Sequence, residues 1–382
     1  NGANPFVYFA SMQDLRGSVK VGGDHEKNDL IFETKWDCVI VDEAHEGNKT
    51  PLAKAVHKNL ERSFTLELSG TPFNLFEDYE DEADIYTWDY VMEQQAKYEW
   101  DQNNFGDSNP YASLPKLSIF TYHLDKEFIN HQYVDIEDKA FNFREFFRTY
   151  DNNEPNFSLR GKFVHEKDVW DFLNLISKKD RYEEHQTNFP FSTDYYRDNL
   201  RNTLWLVPGV QEARALSELM KEHDVFSQFD IINVAGSGDN DSENIEALEK
   251  VKKAIGDDPE NAYTITITCG KLTTGVSVPA WTGVMMLSNT TSPSTYLQTA
   301  FRVQTPANIG GQIKTECYVF DFAPDRTLKM VAQAAQLNTK AGSLNSPDQK
   351  AAMATFLNYC SVISNDNSKM NAIDVEHMLR QL

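Results

Sequence analysis

The chain has 382 residues, enough for two or three ordinary domains, and its 40% hydrophobic and 12% aromatic content belongs to a globular chain, not a disordered one. No run approaches the roughly 18 apolar residues of a membrane span, and Asn1–Pro5 has neither the charged nor the apolar region of a signal peptide. Thirty-six basic against 58 acidic side chains give a net charge of −22. That argues against a free-standing, tight DNA binder, but not against a protein that grips a phosphate backbone through main-chain N–H and hydroxyl groups.

A start at Asn1 that runs straight into Phe6-Val7-Tyr8-Phe9 reads as a chain cut from something longer. The first block predicts strands at Phe6–Ala10, Asp37–Val41 and Phe64–Leu68, with a helix over Leu52–Leu60. The acidic run Glu77–Asp84 reads as a solvated loop, with a partner-docking patch as the alternative. A strand at Leu117–Tyr122 precedes a charged, aromatic-rich stretch over 126–197, taken as a helical insertion with helices at Phe141–Tyr150 and Lys167–Lys178. Its aromatics, interleaved with Arg144 and Arg148, suit base stacking or, at helical spacing, a core.

The second block alternates more clearly. Strands are expected at Thr203–Val207, Asp230–Val234, Tyr263–Thr268, Gly283–Leu287 and Glu316–Asp321, with helices near Gln211–Glu222 and Ile245–Ile255 between them. From Arg326 the pattern reads as helical to the end, with a polar break near Gly342–Asp348. The four cysteines, Cys38, Cys269, Cys317 and Cys360, are far apart and form no Cys-x-x-Cys, which points to a reducing cytoplasm and argues against zinc.

The strongest chemical signal is Cys38-Val39-Ile40-Val41-Asp42-Glu43-Ala44-His45. Four apolar residues make a buried parallel strand, and two carboxylates emerge at its C-terminal end, where α/β sheets place ligands. A nucleotide-hydrolysing site needs two such groups, one on Mg²⁺ and one polarising water. By that logic Asp42 is the metal-side carboxylate and Glu43 the base. Downstream, Ser292-Pro293 starts a helix on which Gln298 and Arg302 share a face. After another strand, Cys269–Pro279 offers the hydroxyls of Thr273, Thr274 and Ser277 to phosphates, with Gly275 permitting close backbone approach. A common turn is the plain alternative there.

Asp42-Glu43-Ala44-His45 resembles the DEAH form of the Walker B motif of superfamily 2 helicases, and Leu68-Ser69-Gly70-Thr71-Pro72 resembles their motif III. Cys269–Pro279 is similar to motif V. Gln298–Thr305 is similar to motif VI (Gln-x-x-Gly-Arg-x-x-Arg), with Phe301 for its glycine and Thr305 for its second arginine. Ala10–Gly17 looks like the strand-end segment that touches the nucleic-acid backbone. Stretches such as Phe9–Leu15, Ser69–Asn74, Leu272–Val276 and Phe301–Pro306 narrow the likeness to motor subunits of type I and type III DNA restriction enzymes, over roughly 6–75 and 200–325.

The resemblance implies two RecA-like parallel-sheet lobes, the first incomplete. Expected boundaries are 1–112 for the first lobe and linker, 113–325 for the second lobe with its insertion, and 326–382 for a C-terminal helical segment. It implies ATP and Mg²⁺ as cofactors and double-stranded DNA as partner, with nuclease, methyltransferase and specificity domains outside this chain. Asp42, Glu43, His45, Gln298 and Arg302 would be catalytic, with Asp42 holding Mg²⁺ and Arg302 meeting the γ-phosphate. Ser69, Thr71 and Gly275 would couple hydrolysis to movement. Ser11, Gln13, Arg16, Thr273, Thr274 and Ser277 would contact nucleic acid, helix capping being the alternative for the first three.

No Gly-x-x-x-x-Gly-Lys-[Ser/Thr] phosphate loop occurs: Gly161-Lys162 precedes Phe163, and Gly270-Lys271 precedes Leu272. The loop is expected before residue 1, and the chain alone is expected not to turn over ATP at a useful rate. Pro347-Asp348-Gln349-Lys350 reads as a helix start, not a nuclease site. A DNA-repair or RNA helicase core, and a non-catalytic scaffold with a motor-like fold, stay open as alternatives.

Overall fold

Parallel strands organise both parts of the computed structural model, which describes residues 5–44, 51–71, 85–124, 133, 141–177, 189–236, 241–336, 347–366 and 369–372. The chain divides into Asn1–Tyr86 and Thr87–Leu382. His45, Pro72, Phe73, Asn74 and the acidic run at Glu77–Asp84 lie outside the described residues.

In the first unit come α1 (Met12–Arg16), α2 (Asp29–Glu33), β1 (Trp36–Val41), α3 (Pro51–Asn59) and β2 (Arg62–Glu67). β1 and β2 pair in parallel, with Cys38 opposite Phe64 and Ile40 opposite Leu66. Leu15, Val21, Ile31, Val56 and Leu60 form the core, with Trp36 and Val39 of β1 packed on it. Cys38, Ile40, Phe64 and Leu66 are exposed, although parallel sheets are ordinarily covered on both faces. Phe6–Ala10 is not a strand, contrary to its pattern. Strand propensity needs a partner edge, and Phe6 and Tyr8 instead set their rings 5.6 and 6.4 Å from Trp36.

The second unit runs α4 (Tyr90–Asn103), β3 (Lys116–Tyr122), α5 (Phe143–Phe146), α6 (Glu166–Ser177), α7 (Asp194–Asn199), β4 (Asn202–Leu206), α8 (Val210–Glu222), β5 (Asp230–Asn233), α9 (Asp241–Ile255), β6 (Thr264–Thr268), β7 (Gly283–Met286) and α10 (Pro293–Ala300). Then follow a 3-10 turn (Phe301–Gln304), β8 (Asn308–Ile309), β9 (Gln312–Ile313), β10 (Glu316–Asp321), α11 (Pro324–Gln336), α12 (Pro347–Tyr359), β11 (Ser361–Asp366) and β12 (Lys369–Ala372). One sheet has the order β12-β11-β3-β10-β7-β4-β6-β5. Its strands pair in parallel throughout except for the antiparallel edge pair β11–β12. Every residue of β4, β6 and β7 is buried, as a sheet with covered faces requires.

Among the described residues, most of the insertion's phenylalanines are core, whereas Phe157 and Tyr195 are exposed. Phe143, Phe146, Phe147, Phe163 and Phe172 pack in one cluster with Trp205, Phe226 and Phe322. The helix expected over Phe141–Tyr150 shrinks to the four residues of α5, because the main chain beyond it pairs with a later segment: Tyr150 N donates to Lys162 O (2.9 Å) and Val164 N to Arg148 O (2.8 Å). The C-terminal stretch is not wholly helical. After α11 and α12, Ser361–Asp366 pairs with β3, where backbone groups find a parallel edge that no helix could satisfy.

The unit boundary at Tyr86–Thr87 precedes the expected residue 112 because α4 is bonded to the second sheet. Tyr90 donates to Tyr359 O (2.8 Å) and accepts from Leu117 N (3.0 Å). Further along α4, Gln94 donates to Pro115 O (3.2 Å) and Lys97 to Leu114 O (2.7 Å).

Lys314 is buried between β9 and β10 and donates to Pro279 O (2.8 Å) and Trp281 O (3.0 Å). Burial pushes its ammonium down to about 8 from the usual 10.5. The unfolded chain therefore holds the extra proton between those two values, so this residue's contribution rises as pH climbs through that window and is flat below it. We expect the stability difference between wild type and Lys314→Met to grow in the wild type's favour by about 3 kcal/mol from pH 8 to pH 10.5. Denaturant titrations of both proteins across that range check this, and a pH-independent difference would refute it.

Candidate functional site

In the first unit the candidate site forms where β1 and β2 end. Asp42 is exposed, and its Oδ1 accepts from Glu43 N at 2.9 Å. Glu43 sits at φ 47°, a left-handed conformation that a glutamate adopts only at a cost. This turn halts the strand and sends Ala44 back to the neighbouring strand end: Ala44 N donates to Leu68 O (2.9 Å), and Leu68 N to Val41 O (2.8 Å). The two segments Asp42–Ala44 and Leu68–Thr71 are thereby held at one sheet edge. Ser69 Oγ accepts from Thr71 N (3.2 Å), shaping the second turn, and Thr71 is buried.

Ser11 caps α1, its Oγ accepting from Asp14 N at 3.1 Å. Gln13 is exposed and Arg16 half-buried on that same short helix. Asp14 is held below the usual carboxylate range by hydrogen bonds from Lys27 and then Asn28.

In the second unit the loop after β6 is built around Thr268, a residue that sequence reasoning passed over. Its hydroxyl donates to Lys271 O (2.6 Å) and accepts from Gly270 N (3.1 Å). Leu272 then takes φ 64° and Gly275 φ 66°, so the loop carries a non-glycine residue in the left-handed region. Thr273 is buried with its hydroxyl on Gly270 O (2.6 Å), whereas Thr274 and Ser277 are exposed. Lys271 is buried and paired with Glu243 of α9. Cys269 is half-buried, and burial raises its thiol.

Ser292 caps α10 as its sequence predicts, accepting from Thr295 N at 3.3 Å. Gln298 is buried on that helix, but Arg302 lies in the 3-10 turn beyond it. Arg302 Nε donates to Gln298 O (3.0 Å) and Nη1 to Val276 O (2.5 Å). The loop carrying Gly275 and the turn carrying Arg302 are thus joined directly. Phe301 stacks on Tyr90 of α4, with ring centroids 6.1 Å apart and planes at 27°. No helix among the described residues is long and apolar enough to cross a membrane.

Residues 2–74 match the family described as Type III restriction enzyme, res subunit. Across 86% of its length the chain is 26% identical to the "Putative type II restriction enzyme and methyltransferase RM.MpnORF110P C-terminus" of Mycoplasma pneumoniae, and it spans about half (52%) of that relative. Among solved structures it is similar to the ATP-dependent Type ISP restriction-modification enzyme LlaBIII bound to DNA (14% identity, 85% of this chain and 20% of that one, TM-score 0.40). A second is S. cerevisiae Dbp5 bound to RNA and ADP BeF3 (11% identity, 87% of this chain and 60% of that one, TM-score 0.35). By its sequence likenesses the chain resembles restriction enzymes, its residues 2–74 matching the type III res subunit.

Proposed function

We propose that this chain is the motor segment of an ATP-dependent double-stranded DNA translocase in a restriction-modification or related defence system. What carries the reading is the edge formed by β1 and β2. Two adjacent carboxylates leave a parallel strand there, Glu43 is held at φ 47°, and the Ser69–Thr71 turn is bonded alongside.

Mg²⁺ at nucleotide sites keeps several waters and takes one or two carboxylates plus phosphate oxygens, and the exposed Asp42 fits that demand without a cluster of three acids. Bound Mg²⁺ and ATP would supply charge neutralisation at the phosphates and the bond to be cleaved. Asp42 would hold the metal, and Glu43 would orient and deprotonate the attacking water. Gln298 and Arg302 would serve the γ-phosphate, Arg302 exchanging its bond to Val276 O for that contact. Ser69, Thr71 and Gly275 would pass the change on. Ser11, Gln13, Arg16, Thr274 and Ser277 would touch the DNA backbone, and Thr273 would shape the loop that presents the last two.

The 382 residues contain no Gly-x-x-x-x-Gly-Lys-[Ser/Thr] loop, so we propose that turnover needs a phosphate loop supplied from elsewhere. The apolar face of Cys38, Ile40, Phe64 and Leu66 supports a first lobe larger than the described residues. Nuclease, methyltransferase and specificity domains would be separate, and four free cysteines suit a reducing cytoplasm. A non-catalytic scaffold is the second reading, favoured by Phe301 and Thr305 at the motif VI positions.

Displacement of a third strand from intact duplex DNA tests the proposal. The longer protein should strip it with ATP and without separating the duplex. Unwinding of short duplexes without movement along intact DNA would favour a repair or RNA helicase instead.

A further inference from the structure

The segment that launches α10, residues 288–292, is gripped by parts of the fold outside every motif named above. Asn289 clamps the insertion with both halves of its amide: Nδ2 donates to Phe141 O (2.9 Å), and Oδ1 accepts from Phe143 N (2.8 Å). Phe143 is fully buried, so without Asn289 its N–H would lose that partner where water cannot replace it.

One residue earlier, Ser288 O accepts from Arg326 of α11. The Arg326 guanidinium also pairs with Asp321 at the end of β10 (2.6 Å) and lies 5.5 Å over the Phe143 ring. Asp321 is fully buried, and its Oδ1 also accepts from Ala323 N at 2.9 Å. The end of β7, the end of β10, α11 and the insertion therefore converge on the five residues before α10.

Resting on the motor reading, we infer that Asn289 and Arg326 are positioning residues for Gln298 and Arg302. A buried ion pair is a weak way to gain stability, but it ties the places of its two members together, because parting them leaves each charge buried alone. The reciprocal Asn289 amide has the same quality, because a slip of one residue would lose both bonds. α10 is a helix of eight residues, a short rod that transmits the placement of its first turn to its last. Fixing 288–292 therefore fixes the start of the rod whose far end delivers Arg302. The insertion thereby gains a role: its 141–147 segment is one jaw of the clamp that sets the motif VI helix. Stabilisation of charge on a γ-phosphate by a positioned side chain is sensitive to displacements on the order of 1 Å, which can cost about 100-fold in rate.

The experiment is Asn289→Ala, read in two ways. In the chain itself, amide hydrogen exchange across 294–304 should quicken by at least about tenfold while β4 and β6 keep their protection. In the longer protein, kcat for ATP should fall by about 10- to 100-fold with KM for ATP nearly unchanged. Val251→Ala, a cavity in the fully buried face of α9, is the control for simple destabilisation and should leave kcat as it was. Unchanged exchange over 294–304 would overturn the clamp. Faster exchange with unaltered kcat would overturn the positioning role and leave only a structural one. A wild-type longer protein that hydrolyses no ATP would sink the motor reading, and the positioning role with it. The exchange arm separates that failure from failure of the clamp.

Discussion

Asp321→Ala is expected to lower the stability of the second unit by about 3–5 kcal/mol, because it leaves the Arg326 guanidinium buried without its counter-charge. Asp321 is fully buried, the ion pair measures 2.6 Å, and the same carboxylate oxygen also holds Ala323 N. Burying two ions costs several kcal/mol each, and the pair recovers that only while both members stay. The double replacement Asp321→Leu with Arg326→Met removes both charges at similar volume, so it should recover most of the loss. Global exchange rates of the β4 and β6 amides report the difference directly. A loss below about 1 kcal/mol for the single variant would place the pair in the class of solvent-screened surface bridges. A double variant as unstable as the single one would show that the guanidinium's other contacts dominate.

The second sheet was legible because its strands carry their signal locally. Asn202–Leu206 and Thr264–Thr268 are short apolar or β-branched runs, which suits strands buried on both faces. α10 was legible from Ser292-Pro293, a cap and a first-turn proline side by side. α4 was not, since Tyr90–Asn103 has almost no apolar face and is held by tertiary bonds from Tyr90, Gln94 and Lys97. β11 failed for a related reason: Ser361–Asp366 becomes a strand because the edge of β3 is open to it. Phe6–Ala10 is the converse, with local preference but no partner strand among the described residues.

Within the candidate site, Asp42 and Glu43 could be named from the sequence because a strand tip with two carboxylates is a local pattern. The strained φ of Glu43 has no such signature. Nor has the bond from Arg302 to Val276 O, which spans 26 residues of sequence. The substitution at Phe301 looked like a loss of motif, whereas the ring has a stacking partner in Tyr90, a residue far upstream. Asn289 lies between a strand and a capped helix and reads as an ordinary turn residue; only its bonds to Phe141 and Phe143 give it weight.

Glu43→Gln, in a protein that includes the phosphate loop, carries the largest expected functional effect. The substitution keeps the size and one acceptor oxygen of the side chain and removes its ability to take a proton. General-base catalysis contributes about 10²–10⁴ in rate, so hydrolysis should fall by that much. Nucleotide affinity should stay close to wild type, because ground-state binding rests on the phosphate loop, the metal and Asp42. The turn itself should survive: the hydrogen bond from residue 43 N to Asp42 Oδ1 and that from Ala44 N to Leu68 O both use main-chain donors. The measurement is ATP hydrolysis with Mg²⁺ beside equilibrium binding of a non-hydrolysable ATP analogue, in wild type and Glu43→Gln. Intact binding with hydrolysis lost is the expected result. Hydrolysis that continues at the wild-type rate in the variant would contradict it, since Asp42 and Glu43 would then not form the hydrolytic centre.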